Sequence, residues 1–192
     1  MPGTRYDGAV MPTTPASSTA APSVPVKGPV ATIADEPGIG AWRSFLQSHA
    51  RITRRLDEEL QAAHGLSLAE YDALLQIAHS PGHRVRMNVL ANRVLLSRSG
   101  ITRLVDRLEA DGSVERIACE TDARGQEAVL TKAGLERLRT AGGTHLDGVR
   151  RYFLERLGDG ERETIERSLG RLAGALEPDT RPTHEGCPPA EA

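Results

Sequence analysis

The stretch Asn88–Gly112 constrains the fold more than any other part of the chain. Val89, Leu90 and Val94 recur at helical spacing, Leu95-Leu96 interrupts, and a second helical stripe follows at Ile101, Leu104, Val105 and Leu108. Asn88 is the expected cap of a short helix over about 88–94. Ser97 is the expected cap of a longer one that stops at Asp111-Gly112, since a serine hydroxyl accepts from a backbone N–H that the first turn leaves without a partner. Two helices joined by so tight a turn pack across each other as a helix-turn-helix. With Ile101 at the centre of the buried side, Ser99, Thr102, Arg103 and Asp106 fall toward the opposite side, and Arg98 leads at the N-terminal end.

That outer face has the chemistry of a nucleic-acid reader. Arg98 and Arg103 carry the planar fork that matches guanine O6 and N7. Ser97, Ser99 and Thr102 can bond bases or phosphates, and the N-terminus of a helix favours an anion. The whole chain has a net charge of −2, which says nothing of DNA, yet Arg84–Arg107 holds six arginines against Asp106 alone. A local basic patch is the footprint that phosphate binding needs.

A hairpin follows directly. Ser113–Cys119 and Gln126–Thr131 have strand character, and the polar segment Glu120–Gly125 is the expected turn between them. A hairpin after a helix-turn-helix is a wing, whose cation enters the minor groove where negative potential is concentrated. Arg124 sits in that place, and Asp122 braces it by an Asx turn or an ion pair.

Around this centre the chain reads as helices. The first runs over about 41–63, with Trp42, Phe45, Leu46, His49, Ile52, Leu56 and Leu60 at three- and four-residue steps. Ser67 and Glu70 form a capping box that opens the second helix, with Leu66 stapling against Tyr71. Leu68, Tyr71, Leu74, Leu75 and Ala78 make its stripe, and Arg84-Val85-Arg86 is a candidate short strand. Thr131 caps a fifth helix over about 132–157 that Gly142-Gly143 could kink. A sixth carries Ile165, Leu169, Leu172 and Leu176. The fold class is therefore mainly α with a small β-wing, a winged helix-turn-helix of six helices and a two- to three-stranded hairpin. Segments 1–37 and 178–192 hold eleven of the twelve prolines and are expected to be disordered tails.

The sequence resembles the multiple-antibiotic-resistance-regulator (MarR) family of bacterial repressors. The resemblance rests on Leu66–Tyr71, on Leu90–Leu108, on Asp122-Ala123-Arg124-Gly125 and on Leu130-Thr131-Lys132-Ala133-Gly134. It implies a homodimer built by 41–63 and 132–177, with DNA-binding lobes over 66–131. It also implies repression of a promoter, relieved by a small molecule or an oxidised thiol, with His49 and Tyr71 near the effector pocket. Two recognition helices on a twofold axis imply a pseudo-palindromic site in double-stranded DNA, with half-sites about 10 bp apart.

Other chemistries find little footing. Cys119 and Cys187 form no CxxC or disulfide framework, and the first helix, where the family's peroxide sensors carry their thiol, has no cysteine. Cys119 reads as a small buried residue. His79 and His83 straddle Pro81-Gly82 and lack a third ligand, so no metal is expected, nor any other cofactor. No nucleophile elbow, HExxH or isolated carboxylate pair is found, and most acids alternate with arginine on solvated faces, which argues against an enzyme. No apolar run approaches about 18 residues, so no membrane partner is expected, and a reducing cytoplasm is the expected compartment. The other reading is a dimeric protein-interaction module that keeps the winged-helix shape without binding DNA. It predicts a recognition helix without guanidinium groups and a wing without a basic tip.

Overall fold

Caps set the start of three of the helices. Ser67 Oγ accepts from Glu70 N at 3.2 Å while Glu70 Oε2 accepts from Ser67 N at 3.0 Å, closing the expected capping box. Ser97 Oγ accepts from Gly100 N at 3.1 Å, and Thr131 Oγ1 from Gly134 N at 2.9 Å. The computed structural model describes residues 36–119 and 122–176, except the side chains of 122–124. The expected tails lie outside the described residues save for Glu36 and Pro37, and Cys187 lies outside with them.

Six α-helices and three strands are found among the described residues. They are α1 (Ile39–His64), α2 (Leu68–Ala78), β1 (Arg84–Arg86), α3 (Met87–Arg93), α4 (Arg98–Ala110), β2 (Val114–Cys119), β3 (Asp122–Leu130), α5 (Lys132–Tyr152) and α6 (Asp159–Leu176). The chain forms two units, 1–43 and 44–192; α1 begins in the first, and the other elements belong to the second. The strands make one antiparallel sheet in the order β1-β3-β2, with Arg86 opposite Glu127 and Val114 opposite Leu130. This is the mainly helical winged fold expected from the residues.

The core fills the angle between α2, α3, α4 and the sheet. Leu74, Leu90, Ile101, Leu108 and Val114 are buried in it, and the expected stripe of α4 is buried throughout. Each such side chain contributes about 1.5–3 kcal/mol relative to exposure. Glu127 is wholly buried, and its charge is tolerated because Arg84 Nε donates to its carboxylate at 2.7 Å.

Four expectations need correction. Asn88 is not the cap of α3. The chain passes straight from β1 into the helix, so Arg86 holds the cap position without a side-chain bond, and Asn88 lies exposed inside the first turn. The wing turn is shorter than Glu120–Gly125, because pairing resumes with Cys119 opposite Asp122 after an irregularity at Ala118/Cys119. Arg124 therefore stands on β3 rather than in the turn. The fifth helix stops at Tyr152, where Phe153 leaves helical geometry and Leu154–Arg156 forms a 3-10 turn. The helix continues through Gly142-Gly143.

Most described acids are exposed, as their alternation with arginine suggested, but Glu127 and Glu70 are buried. Glu70 is buried, and its Oε1 accepts from Arg107 Nε on α4 at 2.7 Å. Burial alone would push its carboxyl up; the bonds from Arg107 and Ser67 outweigh that and hold it below the usual carboxylate range. A carboxyl depressed in the folded state stabilises above its unfolded pKa of about 4.3, and that contribution is lost as pH falls through the folded value. Glu70→Gln keeps part of the cap but not the ion pair. We expect it to lose about 1–2 kcal/mol at pH 7 and to lose less than wild type on acidification below pH 5. Urea titrations at both pH values check this; parallel losses in the two proteins would remove Glu70 as the acid-sensitive group.

Candidate nucleic-acid interface

Helix α4 follows a tight turn in which Leu95 adopts a left-handed conformation, φ 55°, and is 91% exposed. The buried stripe of α4 points its other side outward, so Arg98, Ser99, Thr102 and Arg103 are all exposed, as is Ser97. The hydroxyls are partly committed. Ser97 Oγ serves the cap and stands 3.2 Å from Ser99 Oγ, and Thr102 Oγ1 donates to Arg98 O at 2.8 Å. Thr102 therefore meets a ligand as an acceptor. Among the described residues no carboxylate pairs with Arg98 or Arg103, and their forks remain available. Asp122 and Arg124 lie on β3, with side chains outside the described residues.

Three arginines hold α4 from three directions, and none was singled out from the sequence for this. Arg107 joins it to Glu70 on α2. Arg116 on β2 donates from Nη2 to Thr102 O at 3.0 Å and to the Asp106 carboxylate, so the wing strand is tied along the helix and the Asp106 charge is neutralised. Arg137 on α5 pairs with Asp111, the C-cap of α4, and donates from Nη2 to Gly65 O at 3.0 Å. A cation at the C-terminal ends of α4 and α1 also suits their dipoles. The contacts join residues 10 to 72 positions apart, which no local pattern exposes.

Cys119 is buried, as expected, and its Sγ accepts from Arg86 Nη2 at 3.4 Å. His49 and Tyr71 share an open cleft of about 870 Å³ with Thr53, Asp57, Asp72 and His145. Asp57 Oδ1 accepts from Leu68 N at 2.8 Å, which ties α1 to the start of α2. His49 is exposed rather than packed in a core. Tyr71 and His145 stack with ring centroids 4.5 Å apart. Burial lowers the pKa of His145, against the opposing charge of Asp72, and raises that of Tyr71. Both shifts favour the neutral ring, and the stacked pair offers a flat surface with two polar edges. His145 was missed because it lies 74 residues from Tyr71 on a different helix.

Among the described residues no cluster of His, Cys, Asp and Glu is placed to hold a metal ion, and no helix is long and apolar enough to cross a membrane.

A family model described as MarR matches residues 64–125, from the end of α1 to the wing. The chain is 30% identical over 115 residues to the HTH-type transcriptional repressor YetL of Bacillus subtilis, covering 60% of this chain and 68% of that protein. It is 34% identical to Sco3205, a MarR family transcriptional regulator from Streptomyces coelicolor solved in complex with DNA. That match has a TM-score of 0.68 over 72% of this chain and 87% of the other. AbsC from the same organism is also 34% identical, with a TM-score of 0.66 over 71% of this chain and 91% of its own.

Proposed function

The chain belongs to the MarR family of transcriptional regulators, and on that premise we propose that it is a homodimeric repressor that sits on a pseudo-palindromic operator and leaves it when a small molecule binds. The observation that carries the DNA reading is the outer face of α4, where two arginines without acidic partners stand on a helix braced from three sides. In this reading α4 enters the major groove with Ser97, Arg98, Ser99, Thr102 and Arg103. Arg124 reaches the adjacent minor groove, and Asp122 braces the wing. The structure of Sco3205 in complex with DNA supports DNA binding, and the name of YetL supports repression. Such a protein works in the cytoplasm, beside its DNA.

Dimerisation is supported by apolar surface that one chain leaves open. Phe45 and Leu46 on α1, Leu146 on α5, and Leu169, Leu172 and Leu176 on α6 are exposed, Leu172 by 52% and Leu176 by 73%. Apolar surface gathered on terminal helices normally marks an interface. In this reading 41–63 and 132–177 form the dimer, 66–131 the DNA lobe, and half-sites lie about 10 bp apart. The cleft at His49, Tyr71 and His145 takes the effector. It touches α1, α2 and α5, so an occupant acts on the helices that set the spacing of the two lobes.

Light scattering at micromolar concentration is expected to give twice the chain mass, and a mobility shift is expected on the duplex flanking its own gene. A monomer removes the dimer. An intact dimer that shifts no DNA at low salt favours the protein-interaction module instead.

A further inference from the structure

A second cleft, of about 440 Å³, opens within the DNA-binding lobe where β1 and α3, α4 and the wing strand β3 meet. Its polar walls are Arg86 at the end of β1, Asn88 in the first turn of α3, Arg98 and Thr102 on α4, and Gln126 on β3, with Ile101 below them. Among the described residues no carboxylate lines it. Arg86 is steadied by its contact with the buried Cys119 sulfur, and Thr102 by its bond to Arg98 O. Two guanidiniums, two carboxamides and a hydroxyl thus line one concavity from four elements that fold together.

We propose that this cleft holds one phosphodiester of the DNA backbone, with Arg86 and Arg98 as its cations and Asn88 and Gln126 as neutral donors. The inference rests on the DNA reading above and divides the labour within it: Arg98 anchors, and base reading falls to Arg103. The shape of the site decides for a phosphate over a base. A base edge is flat and is read by donors and acceptors lying in one plane. Donors arriving from three directions around a hollow suit a tetrahedral oxyanion, which a carboxamide N–H can meet singly and a guanidinium as a fork. The cleft shares Arg98 and Thr102 with the outer face of α4, so a phosphate held there borders the groove in which α4 lies. A contact of this kind fixes register without reading sequence.

The test uses the full chain and a duplex selected from a random pool. Each phosphate of one half-site is replaced in turn by an uncharged methylphosphonate. Wild type, Asn88→Ala, Gln126→Ala and Arg98→Gln are compared over a salt series. Asn88 and Gln126 are exposed and make no hydrogen bond within their own elements' caps, so their loss leaves the fold intact. Wild type is expected to lose about tenfold in affinity at one phosphate, and the variants to lose little more there than they have already lost. Arg98→Gln is expected to lower the salt slope by about one unit per subunit with unchanged base preferences. Equal losses in variants and wild type at every phosphate overturn the assignment, as does a changed base preference in Arg98→Gln. If inorganic phosphate at matched ionic strength displaces no DNA, the site is one for the polymer, as proposed; displacement without any coupled phosphate in the scan overturns it. Wild type that binds no duplex at all refutes the regulator reading itself, whereas wild type that binds with a featureless phosphate scan refutes the cleft alone.

Discussion

Gly134→Ala is expected to destabilise the protein by about 3 kcal/mol, the upper range for overpacking a site that cannot give way. A Cβ built on Gly134 stands 2.0 Å from the carbonyl oxygen of Ser113 and 2.9 Å from Leu130 Cδ1. The first obstacle is backbone, so no rotamer change relieves it. The approach is close because Thr131 draws the two segments together: its N–H donates to Ser113 O at 3.1 Å and its hydroxyl to Gly112 O at 2.7 Å. The start of α5 thus rests on the chain just beyond α4, and the five residues Leu130–Gly134 make that joint. Gly143→Ala on the same helix is the control. Its Cβ meets nothing within 4 Å, and replacing a glycine inside a helix is expected to gain about 0.5–1 kcal/mol. Urea unfolding at one fixed protein concentration reads both, since a dimer's apparent stability depends on concentration. If both substitutions shift the midpoint the same way, the joint is not as tight as the structure draws it.

The same joint shows what was legible in the sequence. Ser67 with Glu70, Ser97 and Thr131 were readable because a cap is decided within four residues. The stripe of α4 was readable because its period matches one buried face. What escaped was settled by partners distant in sequence. Asn88 has the chemistry of a cap, but pairing of β1 with β3 carries the chain into α3 two residues earlier, with Arg86 at the cap position. Asp122–Gly125 has the composition of a turn, yet its register against Cys119 makes it strand. Glu127 is wholly buried, and its partner Arg84 comes from the neighbouring strand β1, 43 residues away. Arg107 was counted only in the basic stretch, Arg116 and Arg137 carry no local signal, and each of the three ties α4 to a different neighbour. In the candidate site, the exposed face of α4 was legible from periodicity, whereas Asn88, Gln126 and His145 come into it only through folding.

The bracing of α4 bears directly on Arg103. A side chain reads a base well only if its own element holds still, and α4 is tied to α2 by Arg107, to β2 by Arg116 and to α5 by Arg137. Arg103 projects from this helix on the side away from Ile101, Leu104, Val105 and Leu108, without a carboxylate to divert it. Arg103→Ala is therefore expected to cost about 1–3 kcal/mol at one base-pair position and to relax the preference for guanine there. Arg103→Lys is not expected to restore it, because an ammonium lacks the fork that meets O6 and N7 together. The contrast with Arg98 is the sharper part of the expectation. If Arg98 lies on a phosphate, its loss weakens all sequences alike and leaves the selected motif unchanged, while loss of Arg103 alters the motif at one position in each half-site. Selection from a random pool with wild type, Arg103→Ala, Arg103→Lys and Arg98→Gln compares the four directly. A motif unchanged by Arg103→Ala, together with recovery of affinity in Arg103→Lys, would mean that Arg103 also anchors the backbone and that base reading on α4 belongs to its hydroxyls.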